Sequence, residues 1–306
     1  MSLSQRKGNV ALLPLLVIST LLLFCPYLLF SFPVLSAEEI RSVADKSDYT
    51  LFNPTPVEQM REYQPDRPDV TEGPHTVDAG HFAVETAILN YTCNPIGVPD
   101  PDRPQHQIVV GETNFRVGVL NNMELQLVFQ PFAWQKFKTG IDMHEEQSGF
   151  GDTRIRAKTN LWGNDKGDTA MALLPWIGLP TNRVGEGNNK FTGGLIVPFA
   201  LEAPHDFTIG MMTEFDAINN ASGEGHHLEW TNSITVSHRL FIEKLEGFLE
   251  IASNNSFDNG SPWVASVDMG LLYKVNKNLV FDIGANIGVT PDADDLSAFI
   301  GFARRF

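Results

Sequence analysis

Leu279-Val280-Phe281-Asp282-Ile283-Gly284-Ala285-Asn286-Ile287-Gly288-Val289 puts Leu279, Phe281, Ile283, Ala285, Ile287 and Val289 on one side of an extended chain. Val280, Asp282, Gly284, Asn286 and Gly288 fall on the other. Side chains of a strand alternate between faces, so one face suits hydrocarbon and the other does not. Upstream, 263–275 repeats the pattern, with Trp263, Ala265, Val267, Met269, Leu271, Tyr273 and Val275 opposed to Val264, Ser266, Asp268, Gly270, Leu272 and Lys274. Further upstream, 153–161 carries Arg154, Arg156, Lys158 and Asn160 on one face, a basic row that must meet water or carboxylates.

Similar strands are placed at 81–91, 108–120, 123–137, 169–179, 193–203, 206–217, 227–238, 245–253 and 296–306, which brings the total to about twelve. Pro198 breaks the ladder within 193–203, because proline has no N–H to donate. Short turns at Asn121-Asn122, Asn164 to Asp168, Pro204-His205, Leu240 to Lys244 and Asn276 to Asn278 alternate with longer polar loops at 92–107, 139–151, 180–192, 218–226, 254–262 and 290–295. This asymmetry predicts an all-β fold, a closed antiparallel transmembrane β-barrel with short periplasmic turns and long extracellular loops. Outward-facing Trp263 and Tyr273 are ten residues apart, roughly 33 Å of strand. Tilted, that is roughly 25 Å of height, the thickness of an outer-membrane apolar band. Backbone groups in hydrocarbon must all be paired, so the ring has to close and 81–91 should pair with 296–306. The chain ends on Phe306, with Phe302, Ile300 and Ala298 on its face; Phe302 and Phe306 are the expected signal for the outer-membrane assembly machinery.

The first 37 residues form the expected signal peptide: Arg6 and Lys7, an apolar run from Val10 to Leu35, then Ser36-Ala37. Pro14, Pro26 and Pro33 interrupt that run, and an uncleaved inner-membrane anchor is the alternative. The remainder contains one cysteine, Cys93, so no internal disulfide is available to it. The leader holds two basic residues and no acidic one, so its removal takes the formal net charge of −15 to −17. Nucleic acid needs a basic surface, and no nucleic-acid partner is expected. Residues 38–80, rich in Pro, Asp, Glu and Thr, read as a periplasmic lead-in or plug ahead of a barrel over 81–306.

Phe52-Asn53-Pro54-Thr55-Pro56, Met60-Arg61, Asp66-Arg67-Pro68-Asp69-Val70-Thr71-Glu72-Gly73-Pro74 and Thr76-Val77-Asp78-Ala79-Gly80-His81-Phe82 together resemble a bacterial family. It is the outer-membrane transporter family grouped with the meta-pathway of phenol degradation. The resemblance implies a barrel in the bacterial outer membrane, in contact with membrane lipid, and passive uptake of small organic solutes, aromatic or anionic ones among them. It brings no catalytic residues.

The inward face is expected to carry Glu85, Glu112, Asn114, Arg116, Glu124, Gln126, Arg154, Arg156, Lys158, Asn160, Glu214, Asp216, Asp268, Lys274 and Asp282. Arg116, Arg154, Arg156 and Lys158 fit a selectivity stripe in a pore. They equally fit an ion-paired network filling a narrow interior, which would make a non-conducting structural or adhesion barrel. Asp66, Arg67 and Asp69 are the plug candidates, with Arg67 reaching a lumen carboxylate; a rigid extended lead-in is the other reading. Neither Asp142 to Glu146 nor His226-His227 has a spacing that fixes a coordination geometry, so no metal is expected. GxSxG, HExxH, Walker and dinucleotide fingerprints are missing, so neither an enzyme nor a cofactor is expected.

Overall fold

The structure, a computed structural model, describes residues 45–94, 103–138, 143–184, 190–220, 225–258 and 261–306. The leader lies outside them. The strands are β1 (Phe82–Cys93), β2 (His106–Leu120), β3 (Met123–Phe129), β4 (Phe132–Lys138), β5 (His144–Gly149), β6 (Thr153–Trp162), β7 (Thr169–Leu179) and β8 (Thr192–Ala203). They continue as β9 (Phe207–Asn219), β10 (His226–Arg239), β11 (Leu245–Ser256), β12 (Trp263–Asn276), β13 (Leu279–Gly288) and β14 (Leu296–Arg305). All pairings are antiparallel; besides sequence neighbours, β2 pairs with β4, β3 with β6, and β1 with β14, the last from Ala83↔Arg305 to Cys93↔Leu296. The ring therefore closes where the alternation required it.

Two of the wall strands are each recorded in two pieces. β2 pairs with β3 through Thr113↔Phe129 and with β4 from Val110↔Phe132, and the opposite strand is divided into β5 and β6 at the same height. The Gln130 N–H to Asp152 carbonyl and Gly151 N–H to Gln130 carbonyl bonds carry the ladder across Pro131. The wall thus has twelve strands. The one loop the strand pattern misplaces is 139–151: His144 to Gly149 form β5, because the Phe132–Lys138 edge offers them a partner. Pro198 keeps its pairing with Met212 of β9, whereas on the β7 side the register passes from Leu174↔Ile196 to Met171↔Phe199. Pro175 coincides with a similar gap toward β6, between Arg156↔Trp176 and Thr159↔Leu173. A residue without an N–H leaves its ladder position unfilled.

Faces divide as the alternation dictates. Leu249, Ile251, Ile283, Trp263 and Tyr273 are outward and exposed, while Glu250, Asp268 and Asp282 between them are buried inside. A continuous apolar belt of this kind is stable only against lipid. Among the described residues no helix is long and apolar enough to cross a membrane; the strands do so. At the seam Phe306 stacks on Phe82 at 5.0 Å and donates its N–H to the Phe82 carbonyl, while Phe302 leans on Phe281.

Candidate functional site

The interior is charged in two opposed sectors. Arg116 on β2 and Arg154, Arg156 and Lys158 on β6 flank Glu124 and Gln126 on β3. Around the twelve-strand ring β3 stands opposite β11, and the sector β11 to β13 carries Glu250, Asp268 and Asp282. Glu250 and Asp268 are direct cross-strand partners and each is about 1 % exposed, a like-charge pairing that open sheets avoid.

Among the described residues ahead of β1, those of 63–77 occupy the space between these sectors. Thr50 bridges to Leu120 and Leu51 donates to the Val119 carbonyl, anchoring the segment at the short-turn mouth. Asp78, fully buried there, meets Lys46, Arg61 and Arg305 at 3.1–3.5 Å. From Tyr63 to Val77 the chain then enters the barrel and returns. Asp66 is its central charge: Lys158 Nζ lies 2.5 Å, Gln126 Nε2 3.0 Å, Arg116 Nη1 3.3 Å and Arg156 Nη2 4.0 Å from its carboxylate. Burial alone would raise the pKa of Asp66, but Arg116, Lys158 and Arg156 outweigh it and hold the carboxyl down at about 2.

Arg116 is the hub of the same cluster, with no exposed surface. It meets Glu85 at 2.7 Å and Glu124 at 2.9 Å, and donates to the carbonyls of Gln64 and His75. Glu85 in turn accepts from the Tyr63 hydroxyl and the Asp66 N–H. Glu72 pairs with Arg156, and Glu124 accepts the Val77 N–H. A buried ion cluster is tolerable only when nearly every donor and acceptor finds a partner, and this one comes close.

The next residue in the chain, Arg67, reaches the acidic sector. Its Nη2 is 2.8 Å from Asp282, and it lies against the Phe299 ring. Gly301 makes this approach feasible, since a Cβ there would sit 2.5 Å from Arg67 Nη2. Beyond Pro68, Glu250 accepts the Val70 and Thr71 N–H groups at 2.8 and 2.7 Å and also the Thr71 hydroxyl. Asp69 lies beside Glu250; burial and that carboxylate push its pKa well above the usual range. Val70 packs on an apolar group of Leu174, Trp176, Ile196 and Met212.

Of the residues expected in the lumen, Arg116, Arg156, Lys158, Glu85 and Glu124 converge on Asp66. Asp282 meets Arg67, and Asp268 stays near Glu250. Arg154 and Glu214 lie apart, toward the long-loop end: Arg154 covers the Trp176 ring at 4.5 Å, and Trp176 Nε1 donates to Glu214 and Asp216 at 3.2 Å. Glu250, Glu72, Asp78 and Arg305 escaped the sequence reading. Glu250 alternates correctly with Leu249 and Ile251, but Phe248 on its own face hid the parity. Below the cluster, a cavity of about 180 Å³ lined by Arg61, Glu62, His75 and Lys166 lies at the short-turn mouth. Among the described residues no group of three or more His, Cys, Asp or Glu is arranged to hold a metal.

A closed antiparallel barrel of twelve strands, apolar outside and charged inside, is an integral β-barrel of the bacterial outer membrane. The chain belongs to the family described as "Putative MetA-pathway of phenol degradation", whose model matches residues 65–306. Among solved structures, an outer membrane channel from Pseudomonas putida F1 is similar with a TM-score of 0.57 at 7% identity, covering 79% of this chain and 100% of that one. The NanC porin aligns with a TM-score of 0.45 at 10% identity, over 73% of this chain and 98% of its own. A CymD monoaromatic hydrocarbon channel aligns at 0.42 and 8% identity, over 74% and 88%. At such identities the likeness is one of fold. No curated protein matches the chain.

Proposed function

We propose that the protein is a passive channel for small organic solutes, closed at rest by residues 63–77 and opened when they withdraw. The observation that carries this reading is the division of the lumen into a basic and an acidic sector. A barrel that only had to fill its interior would do so with apolar side chains at lower desolvation cost. In the open state Arg116, Arg154, Arg156 and Lys158, with Glu85 and Glu124 beside them, face Glu214, Asp268 and Asp282 across a wet path and tune selectivity. Asp66, Arg67 and Asp69 are the plug contacts. Phe302 and Phe306 present the terminal aromatic pattern to the assembly machinery, after export on the leader 1–37. The family and the channel from Pseudomonas putida F1 support the same reading; the solute class is carried over from the family and from the hydrocarbon channel's name.

The density of ion pairs around Arg116 favours a second reading, a permanently filled structural barrel. Single-channel conductance in a planar bilayer separates the two. The mature protein and an Arg116→Met variant with a loosened segment are compared, and Arg154→Ala/Arg156→Ala is then added. Steady openings, more frequent in Arg116→Met and less anion-selective in the arginine variants, are expected. Silence from all of them, with folding verified by heat-modifiable mobility, would leave the structural reading standing.

A further inference from the structure

The wall donors around Asp66 are arranged as a receptor for a carboxylate, whoever supplies it. Arg116, Gln126, Arg156 and Lys158 belong to three adjacent wall strands. Each is less than 10 % exposed, and all four surround one carboxyl group: Gln126 and Lys158 hydrogen-bond it, while the Arg116 and Arg156 guanidiniums stand 3.3 and 4.0 Å away. The wall itself supplies Glu85 and Glu124 to the cluster, two anions for three cations, so one positive charge is unmatched until Asp66 arrives. Of the other two acids on the segment, Asp69 lies beside Glu250 and Glu72 contacts Arg156. Asp66 is connected to the wall through the atoms any carboxylate possesses, while its backbone N–H bonds separately to Glu85. Charge-assisted bonds to a carboxylate are short and strong, and Arg supplies them in a fixed plane.

We propose that Arg116, Gln126, Arg156 and Lys158 form a carboxylate-binding site on the barrel wall that Asp66 occupies in cis, and that the carboxylate of a small monoanionic solute takes its place when the segment withdraws. The second half rests on the channel reading above and gives it a substrate class. It also describes how opening is achieved: a solute carboxylate and Asp66 compete for the same donors, so the solute weakens the hold on the plug.

The test uses the full mature chain and reads binding, not conduction. In Asp66→Ala the missing group has the size of formate. Hydrogen exchange of residues 63–77 in this variant should rise, and formate should restore protection saturably, at a concentration at least about tenfold below that of chloride. Lys158→Met added to Asp66→Ala should abolish the difference between the two anions. In the wild-type chain benzoate should instead raise exchange over 63–77, and Asp66→Asn, which keeps the shape and loses the charge, should respond at about tenfold less benzoate. Equal responses to formate and chloride, or formate protection that survives Lys158→Met, would overturn the site. A wild-type segment indifferent to benzoate would overturn its role in solute recognition. Because binding is read independently of the bilayer conductance above, carboxylate binding by a silent barrel would refute the channel and uphold the site, and conduction without binding would do the reverse.

Discussion

Replacing Arg116 with Met removes the one cation that Glu85 contacts. In the variant Arg156 and Lys158 still face Asp66, and Lys158 Nζ lies 3.8 Å from Glu124, so two of the three carboxylates keep a counter-charge. Glu85 keeps only the Tyr63 hydroxyl at 2.8 Å and the Asp66 N–H at 3.1 Å, and the carbonyls of Gln64 and His75 lose their donor. One uncompensated buried carboxylate costs about 3–5 kcal/mol, or roughly two to four powers of ten in the docking equilibrium of the segment. That cost falls on the segment and spares the wall. Once residues 63–77 leave, water enters and solvates Glu85, while the ladders and the lipid-facing belt are untouched. Hydrogen exchange followed by mass spectrometry should therefore show the segment deprotected and β1 and β2 protected. Adding Glu85→Gln to Arg116→Met should recover most of the loss, a coupling that a double-mutant cycle measures. Additive effects of the two substitutions, or strands that open together with the segment, would refute this division of roles.

Glu250→Gln replaces one of two acceptor oxygens with an NH2 that meets either the Val70 or the Thr71 N–H donor-to-donor; loss of about 1.5–3 kcal/mol of docking should appear as faster exchange over Val70 and Thr71. Burial, with Lys158, Arg61 and Arg116 nearby, lowers the pKa of His75 from its ordinary 6.5 to about 4. Its contribution is therefore complete above pH 6.5 and is lost as the pH falls toward 4. Glu72 runs in the opposite sense, since burial, against the pull of Arg156, lifts it from 4.5 to about 7, and its contribution, present at low pH, is lost as the pH rises through 7. Comparing wild type with His75→Gln isolates the first effect: proteolysis of the segment between pH 6.5 and 4 should accelerate less in the variant, and parallel curves would count against it.

The barrel was legible because lipid enforces alternation: Phe281-Asp282-Ile283 or Val267-Asp268-Met269 states its own inside and outside. Closure followed from the backbone's need for partners, and the Pro198 gap from a missing donor. Legibility ended where partners are chosen by three-dimensional approach instead of by parity. Arg67 was expected to find a lumen carboxylate, but that the carboxylate is Asp282 depends on Gly301 leaving room. Arg305 belongs to the lumen by parity, yet its link to Asp78 joins the last strand to the residues ahead of the first and has no local signal. Strand β5 went unseen because His144-Glu145-Glu146-Gln147 has no alternation of its own and is held extended by its neighbour.

The pairing of β1 with β14 brings two events together. Among the described strands, the one that closes the ring is the first, and the segment bound inside is joined directly to it. As the last strand zips onto the first, β1 carries residues 63–77 to the mouth of the bore where Arg116, Arg156 and Lys158 await Asp66. Closing the wall and stopping the bore can then proceed together, and a newly inserted molecule need not stand open as an unguarded hole.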